Sequence, residues 1–209
     1  MRWMEVARVM IPFVAFDFLA LSGRNHGDVG REVHVEEERQ GDVYWMKKAL
    51  DEARLALDEG EFPVGCVVVS EGGVVATGRR RGTAHGPGNE LDHAEVVALR
   101  TLMAQGGLAS GKKATLYCTM EPCLMCFAAI LLSDIGRVVW AFEDVMGGGT
   151  SCDLSSVGPL YQEKGLEVVS RVRRNESLAL FKAFFSRPDN AYWQGSFLEQ
   201  YTLKAAVGA

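Results

Sequence analysis

The stretch "ATLYCTMEPCLMCFAAILLSDIGRVVWAF" (Ala114–Phe142) decides the fold. Ala114–Thr119 mixes aliphatic, aromatic and hydroxyl side chains and reads as a β-strand. Pro122–Ser133 is apolar nearly all round, which predicts a helix buried on a sheet. Arg137–Phe142 is the next strand. At the first junction stands Glu121-Pro122-Cys123-Leu124-Met125-Cys126. Proline suits a first helical position. Cysteines three apart then project to one side of the first turn.

Working outward, "DHAEVVAL" (Asp92–Leu99) opens an earlier helix, expected over about His93–Ala104. Upstream of it lie two β-rich runs, Val64–Ser70 and Val74–Arg79, joined by a Glu71-Gly72-Gly73 turn. Before them, Tyr44, Trp45, Ala49, Leu50, Ala53 and Leu57 recur at helical spacing. Asp42 is expected to cap that helix and Gly60 to end it. Downstream, a long crossover over Glu143–Gly165 leads to a fifth strand, Leu166–Val172. So long a connection suits parallel pairing with the fourth strand. A last helix, capped by Asn175, buries Leu178, Phe181 and Phe185. The order αββαβαβα predicts an α/β/α three-layer sandwich around a central five-stranded mixed sheet.

The flanks read differently. Val6–Gly23 is largely apolar but carries Pro12 and Asp17, so it makes a poor membrane span and only loosely imitates a signal peptide. Gly23–Asp42 is polar and reads as a linker. Three regions are therefore expected: an N-terminal extension over 1–41, poor in order; a domain over 42–187; and a tail over 188–209 packing on or near it.

Composition narrows the function. Of 209 residues, 48% are apolar, enough for a real core, and the net charge of −5 argues against broad nonspecific nucleic-acid binding. Five scattered cysteines do not make a disulfide scaffold, and a cytoplasmic, reducing setting is expected.

The chemistry lies in two helix starts. The dipole and free N–H groups there favour thiolates. His93, Cys123 and Cys126 supply the three protein ligands of a catalytic zinc, one per chain, with no fourth at matching spacing. Glu95 is then free to move a proton from a metal-activated water. His-x-Glu or Cys-x-x-Cys alone is weak. Together, in this order, they are the pattern of zinc nucleobase deaminases. A thioredoxin-like redox pair at Cys123 and Cys126 leaves His93 and Glu95 without a role. A non-catalytic zinc module has no use for Glu95. Cys66 and Cys118 read as core residues, and Cys152 as no ligand. Gly147-Gly148-Gly149-Thr150 lacks the phosphate-loop lysine and reads as a flexible turn beside the pocket.

From about Asp42 to Arg187 the chain resembles the cytidine and deoxycytidylate deaminase superfamily, and within it the bacterial tRNA adenosine deaminases. The residues that carry the likeness are Pro63-Val64-Gly65, His93-Ala94-Glu95, Thr115–Cys126, Ala128–Asp144 and Phe184-Phe185. The resemblance implies His93, Cys123 and Cys126 as zinc ligands and Glu95 as proton shuttle. It implies that the backbone around Ala94 and the Glu121 region shape the base pocket, and Pro122 and Asp144 are further candidate substrate contacts. Asn89, closer to His93, is the candidate to take over the contact of an Asn that this chain lacks after the second strand. It implies a nucleobase-containing substrate, led by adenosine in tRNA or a related nucleoside, with a free base such as cytosine or guanine as the alternative. A homodimer with no membrane association is expected. Two departures stand out. Relatives that edit tRNA usually carry Asn just after the second strand, where this chain reads Gly78-Arg79-Arg80-Arg81-Gly82. Arg79–Arg81 and Lys112-Lys113 are candidate phosphate contacts. The tail, with Tyr192, Trp193 and Phe197, either packs on the core edge or closes over the pocket.

Overall fold

The computed structural model describes residues 26–84, 88–109, 113–133 and 135–207. Residues 37–209 form one compact unit and residues 1–36 another. The apolar stretch Val6–Gly23 lies outside the described residues.

The chain runs α1 (His26–Asp58), β1 (Gly65–Ser70), β2 (Gly73–Arg79), α2 (Ala94–Ala104), β3 (Ala114–Met120), α3 (Leu124–Leu132) and β4 (Ile135–Phe142). A 3-10 turn at Leu154–Ser156, α4 (Pro159–Gln162), β5 (Glu167–Val169), α5 (Arg174–Phe185) and α6 (Phe197–Lys204) follow. The five strands lie in the order β2-β1-β3-β4-β5. β1 is antiparallel to both neighbours, while β3-β4 and β4-β5 are parallel. The expected mixed sheet with parallel fourth and fifth strands is what the chain forms.

Alternation along the strands splits the core in two. Cys66, Val68, Leu116, Cys118, Val138 and Trp140 pack with Ala94, Ala98 and Leu102 of α2 and Ile130 of α3. Val67, Val69, Tyr117, Val139 and Ala141 pack with Met46, Ala49 and Leu50 of α1. Phe62 joins the rings of Phe181, Phe184 and Phe185, with centroids 5.0–5.9 Å away, and so ties α5 to the start of β1.

Three boundaries differ from expectation. α1 begins at His26, inside the stretch read as a linker. That stretch is polar, yet it holds no proline, and its four glutamates and three arginines sustain a helix without an apolar stripe despite four glycines. Asp42 is therefore no cap. It lies within α1, 4% exposed, and takes a two-pronged ion pair from Arg137 of β4 at 2.7 and 2.8 Å, with the Tyr117 hydroxyl donating at 3.0 Å. Asn175 does not cap α5 either, because the helix starts at Arg174 after Arg173 in a left-handed conformation. The tail adds a helix that was not anticipated, α6, whose N-cap Ser196 accepts from the Glu199 N–H at 3.1 Å.

Candidate active site

The two helix starts meet. His93 is the N-cap residue of α2 and Cys123 that of α3, and neither uses its side chain to cap. Pro122 was expected at the first helical position but sits two places before it, ahead of the Cys123 cap. Cys123 and Cys126 each bring Sγ to 3.5 Å from His93 Nδ1. The three donor atoms lie within 4.8 Å of one another. Zinc–sulfur bonds of about 2.3 Å and zinc–nitrogen bonds of about 2.0–2.1 Å put donors about 3.6 Å apart around a tetrahedral ion. One imidazole and two thiols at this spacing fit zinc, and among the described residues no other group gathers as many donors.

Glycines let the helices come this close. A Cβ on Gly78 of β2 would stand 2.2 Å from the Ala94 carbonyl oxygen, at the first turn of α2. One on Gly149 would stand 2.8 Å from the Leu124 backbone of α3. The glycine run read as a flexible turn is in fact pinned there. The Gly149 N–H donates to the Pro122 carbonyl at 2.8 Å, and Gly148 bridges to Cys123.

The electrostatics suit a cation. The Cys123 thiol is brought down to about 4 by the Cys126 hydrogen bond, against burial, with His93 helping. Cys126 is pushed up by the same hydrogen bond and by burial. For His93, burial works downward, but contact with Cys123 and the charge of Glu95 win and raise it. Glu95 is 3% exposed, and burial lifts its carboxyl above the ordinary range.

These groups open onto a cavity of about 260 Å³. His93, Ala94, Glu95, Glu121, Cys123 and Asp144 line it, so most of the expected site is brought together. Asn89 and Pro122 are not on its wall. The Asn89 side chain is spent on its own loop, accepting from the Leu91 and Asp92 N–H groups and donating to Asp92. Glu121 and Asp144 line the cavity while also building the loop behind it. Glu121 accepts from the Asp144 N–H and the Thr150 hydroxyl, and Asp144 accepts from the Met146 and Gly147 N–H groups. Cys152 is exposed and stands apart from the ligand group.

Of the tail residues named from the sequence, Tyr192 and Trp193 line the cavity, which favours the closing role over simple edge packing, while Phe197 is exposed and off the wall. The sequence reading did not name Leu198, which joins them there. Arg80 lines it too. The basic run is not an open patch: Arg79 is held by Glu59 and Glu52, and Arg80 is buried. Glu61 gathers the following loop, accepting from the N–H groups of Gly82, Thr83 and Ala84. Lys112 lies outside the described residues.

Comparison with known proteins agrees with the geometry. The profile of the cytidine and deoxycytidylate deaminase zinc-binding region matches residues 39–142. The tRNA-specific adenosine deaminase of Bacillus subtilis (strain 168) is 34% identical over 147 residues, which is 69% of this chain and 88% of that protein. The chain belongs to the cytidine and deoxycytidylate deaminase superfamily. A solved tRNA deaminase, studied for A-to-I editing at the wobble position, is 32% identical with a TM-score of 0.56, covering 66% of this deaminase and 98% of that chain. The guanine deaminase of Nitrosomonas europaea, 23% identical with a TM-score of 0.55 over 66% of this chain and 81% of its own, shares the fold. The protein is thus a zinc-dependent deaminase, a hydrolase of C–N bonds, with one zinc per chain.

Proposed function

We propose that the protein converts adenosine to inosine in a tRNA anticodon loop or a related nucleoside. The observation that carries this reading is the meeting of His93, Cys123 and the buried Glu95 on the wall of one base-sized cavity. Its volume lies below the roughly 300–1,000 Å³ of sites for drug-sized ligands, so a single base fills it. A base in RNA must be flipped out to enter. The similarity to tRNA-specific adenosine deaminases supports adenine as that base.

A zinc ion held by His93, Cys123 and Cys126 supplies Lewis acidity that makes water nucleophilic near neutral pH. Glu95 takes one proton from the attacking water as the water oxygen bonds to the amine-bearing carbon, and delivers that proton to the adjacent ring nitrogen. It then carries the second proton to the leaving amine. The C–N bond breaks, ammonia departs and the water oxygen remains as a carbonyl. Burial suits Glu95 to this exchange, because a carboxyl lifted toward neutrality both takes and gives protons. Glu95→Ala is expected to keep zinc and lower kcat by about 10²–10⁴-fold. His93→Ala or Cys123→Ala is expected to lose the metal, read by elemental analysis. An active Glu95→Ala enzyme would sink the mechanism.

One observation favours a second reading. Tyr192 and Trp193 reach over the cavity, as suits a small free base or nucleoside such as cytosine or guanine. Ammonia release from adenosine-containing anticodon hairpins, compared with a panel of free bases, separates the two. Indifference to RNA with turnover of one small base decides for the second. A non-catalytic zinc module is disfavoured by the buried Glu95 beside an open cavity. No helix among the described residues is long and apolar enough to cross a membrane. A cytoplasmic homodimer is the assembly the family resemblance supports, and light scattering in solution tests it.

A further inference from the structure

Among the described residues, Arg80 is the only arginine or lysine on the cavity wall, and the mechanism gives it no task. It directly follows β2, where its N–H donates to the Val64 carbonyl at 2.9 Å, and the residue is 2% exposed. One end of its guanidinium is spoken for. Nη2 donates to Glu90 at 2.7 Å and to the Tyr192 hydroxyl at 3.3 Å, and that hydroxyl itself donates to Glu90 at 3.1 Å. The other end is not. Nη1 is buried with no hydrogen-bond partner among the described residues. A guanidinium keeps its charge at any physiological pH and offers only donors. Burying one of those donors unpaired costs more than a neutral N–H would, so an acceptor is expected to arrive with the ligand.

The surrounding charge says what kind of acceptor. Apart from the metal-binding group, Arg80 shares the wall with the titratable residues Glu90, Glu95, Glu121, Asp144 and Tyr192, four of them carboxylates. A phosphate would meet those carboxylates, whereas a neutral heterocycle would not. Adenine presents ring nitrogens N7 and N3 as acceptors away from its amine-bearing carbon. We propose that Arg80 is a specificity-determining residue of this deaminase, whose Nη1 donates to N7 or N3 of the bound adenine, held in aim by Glu90 and Tyr192. The proposal rests on the adenosine reading above and adds the contact that recognises the base.

The test uses the zinc-loaded full chain and an anticodon-loop hairpin with adenine, 7-deazaadenine or 3-deazaadenine at the target position. Wild type is expected to lose about 10- to 100-fold in kcat/KM on one of the two analogues, the value of a hydrogen bond from a charged donor. Arg80→Ala is expected to lose a similar factor on the parent and to treat parent and that analogue alike. Tyr192→Phe removes the hydroxyl but leaves Nη1, and should preserve the discrimination. Equal turnover of parent and both analogues by wild type, or discrimination undiminished in Arg80→Ala, overturns the contact while leaving the deaminase reading intact. If Arg80→Ala fails to fold, the wild-type comparison alone decides. Absence of turnover on the parent hairpin overturns the adenosine reading, and this proposal with it.

Discussion

Trp193 shows most plainly what the tail does at the scale of single residues. It is a non-glycine residue at φ 57°, on the cavity wall, and 42% exposed. A left-handed tryptophan costs on the order of 1–3 kcal/mol and tends to persist where it serves a site. Trp193→Gly would relieve that strain, which offsets the burial lost with a ring that is partly covered and packs on Tyr192. Stability is expected to stay within about 1 kcal/mol of wild type, while KM rises several-fold. Urea melts and steady-state kinetics read the two effects. An unchanged KM would show that the ring is not a working wall. The contrast with the metal ligands explains what was legible in the sequence. His93, Glu95, Cys123 and Cys126 are short-range patterns, each pair carried by one helix start, so spacing alone gives their geometry. Arg80 and Trp193 reach the cavity through tertiary packing across more than a hundred residues, as the Arg80–Tyr192 contact shows. In the sequence, Arg80 is indistinguishable from its exposed neighbour Arg81.

Helices and loops set how precisely the ligands meet. The glycine run after β4 braces the first turn of α3, next to Cys123, and its bracing depends on the absence of side chains. Gly149→Ala would drive a methyl into the Leu124 backbone, which has no flexible end to move. The expected cost is about 1–3 kcal/mol, with a larger fractional loss of zinc affinity than of stability, because the displaced turn carries two of the three ligands. Zinc competition with a chromophoric chelator, alongside thermal melting, checks the prediction. Affinity at the wild-type level would mean the loop is passive. At this scale the sequence was legible wherever period and composition agreed, as in the first four strands and in α2 and α3. The fifth strand, expected over Leu166–Val172, forms only over Glu167–Val169, ahead of Arg171 in a left-handed conformation. The sequence misled where a polar segment still favours helix, as at the start of α1. The α6 cap was readable as Ser196 followed three residues later by Glu199, the capping-box spacing.

The whole molecule is tied together by ion pairs that the sequence could not show, since their partners lie far apart in the chain. Asp42 and Arg137 link α1 to β4, and Asp42→Ala would leave the guanidinium with Glu167 of β5 alone, at 2.9 Å, and the Tyr117 hydroxyl without its acceptor. A loss of about 1–3 kcal/mol is expected, measured by chemical denaturation. Glu143, directly after β4, joins the sheet to the C-terminal helices. Its carboxylate accepts from Arg174 of α5 and Tyr201 of α6, and it is absent from the cavity wall. Burial works to raise its pKa, but the Arg174 and Tyr201 hydrogen bonds win and bring it down to about 2 from an ordinary 4.5. A depressed carboxylate stabilises the fold above its unfolded pKa, and that contribution fades as pH falls toward the folded one. The difference in unfolding free energy between wild type and Glu143→Gln should therefore be flat above about pH 5 and shrink steadily to about pH 2, by about 2–3 kcal/mol in all. Because Glu143 also anchors α6, whose Leu198 lines the cavity, the same acid range should loosen the tail over the active site. Protease cleavage confined to the tail, rising between pH 4.5 and 3 in wild type and already high at pH 7 in Glu143→Gln, is the expected signature. A tail equally protected in both proteins across that range would mean the cavity is closed without this ion pair.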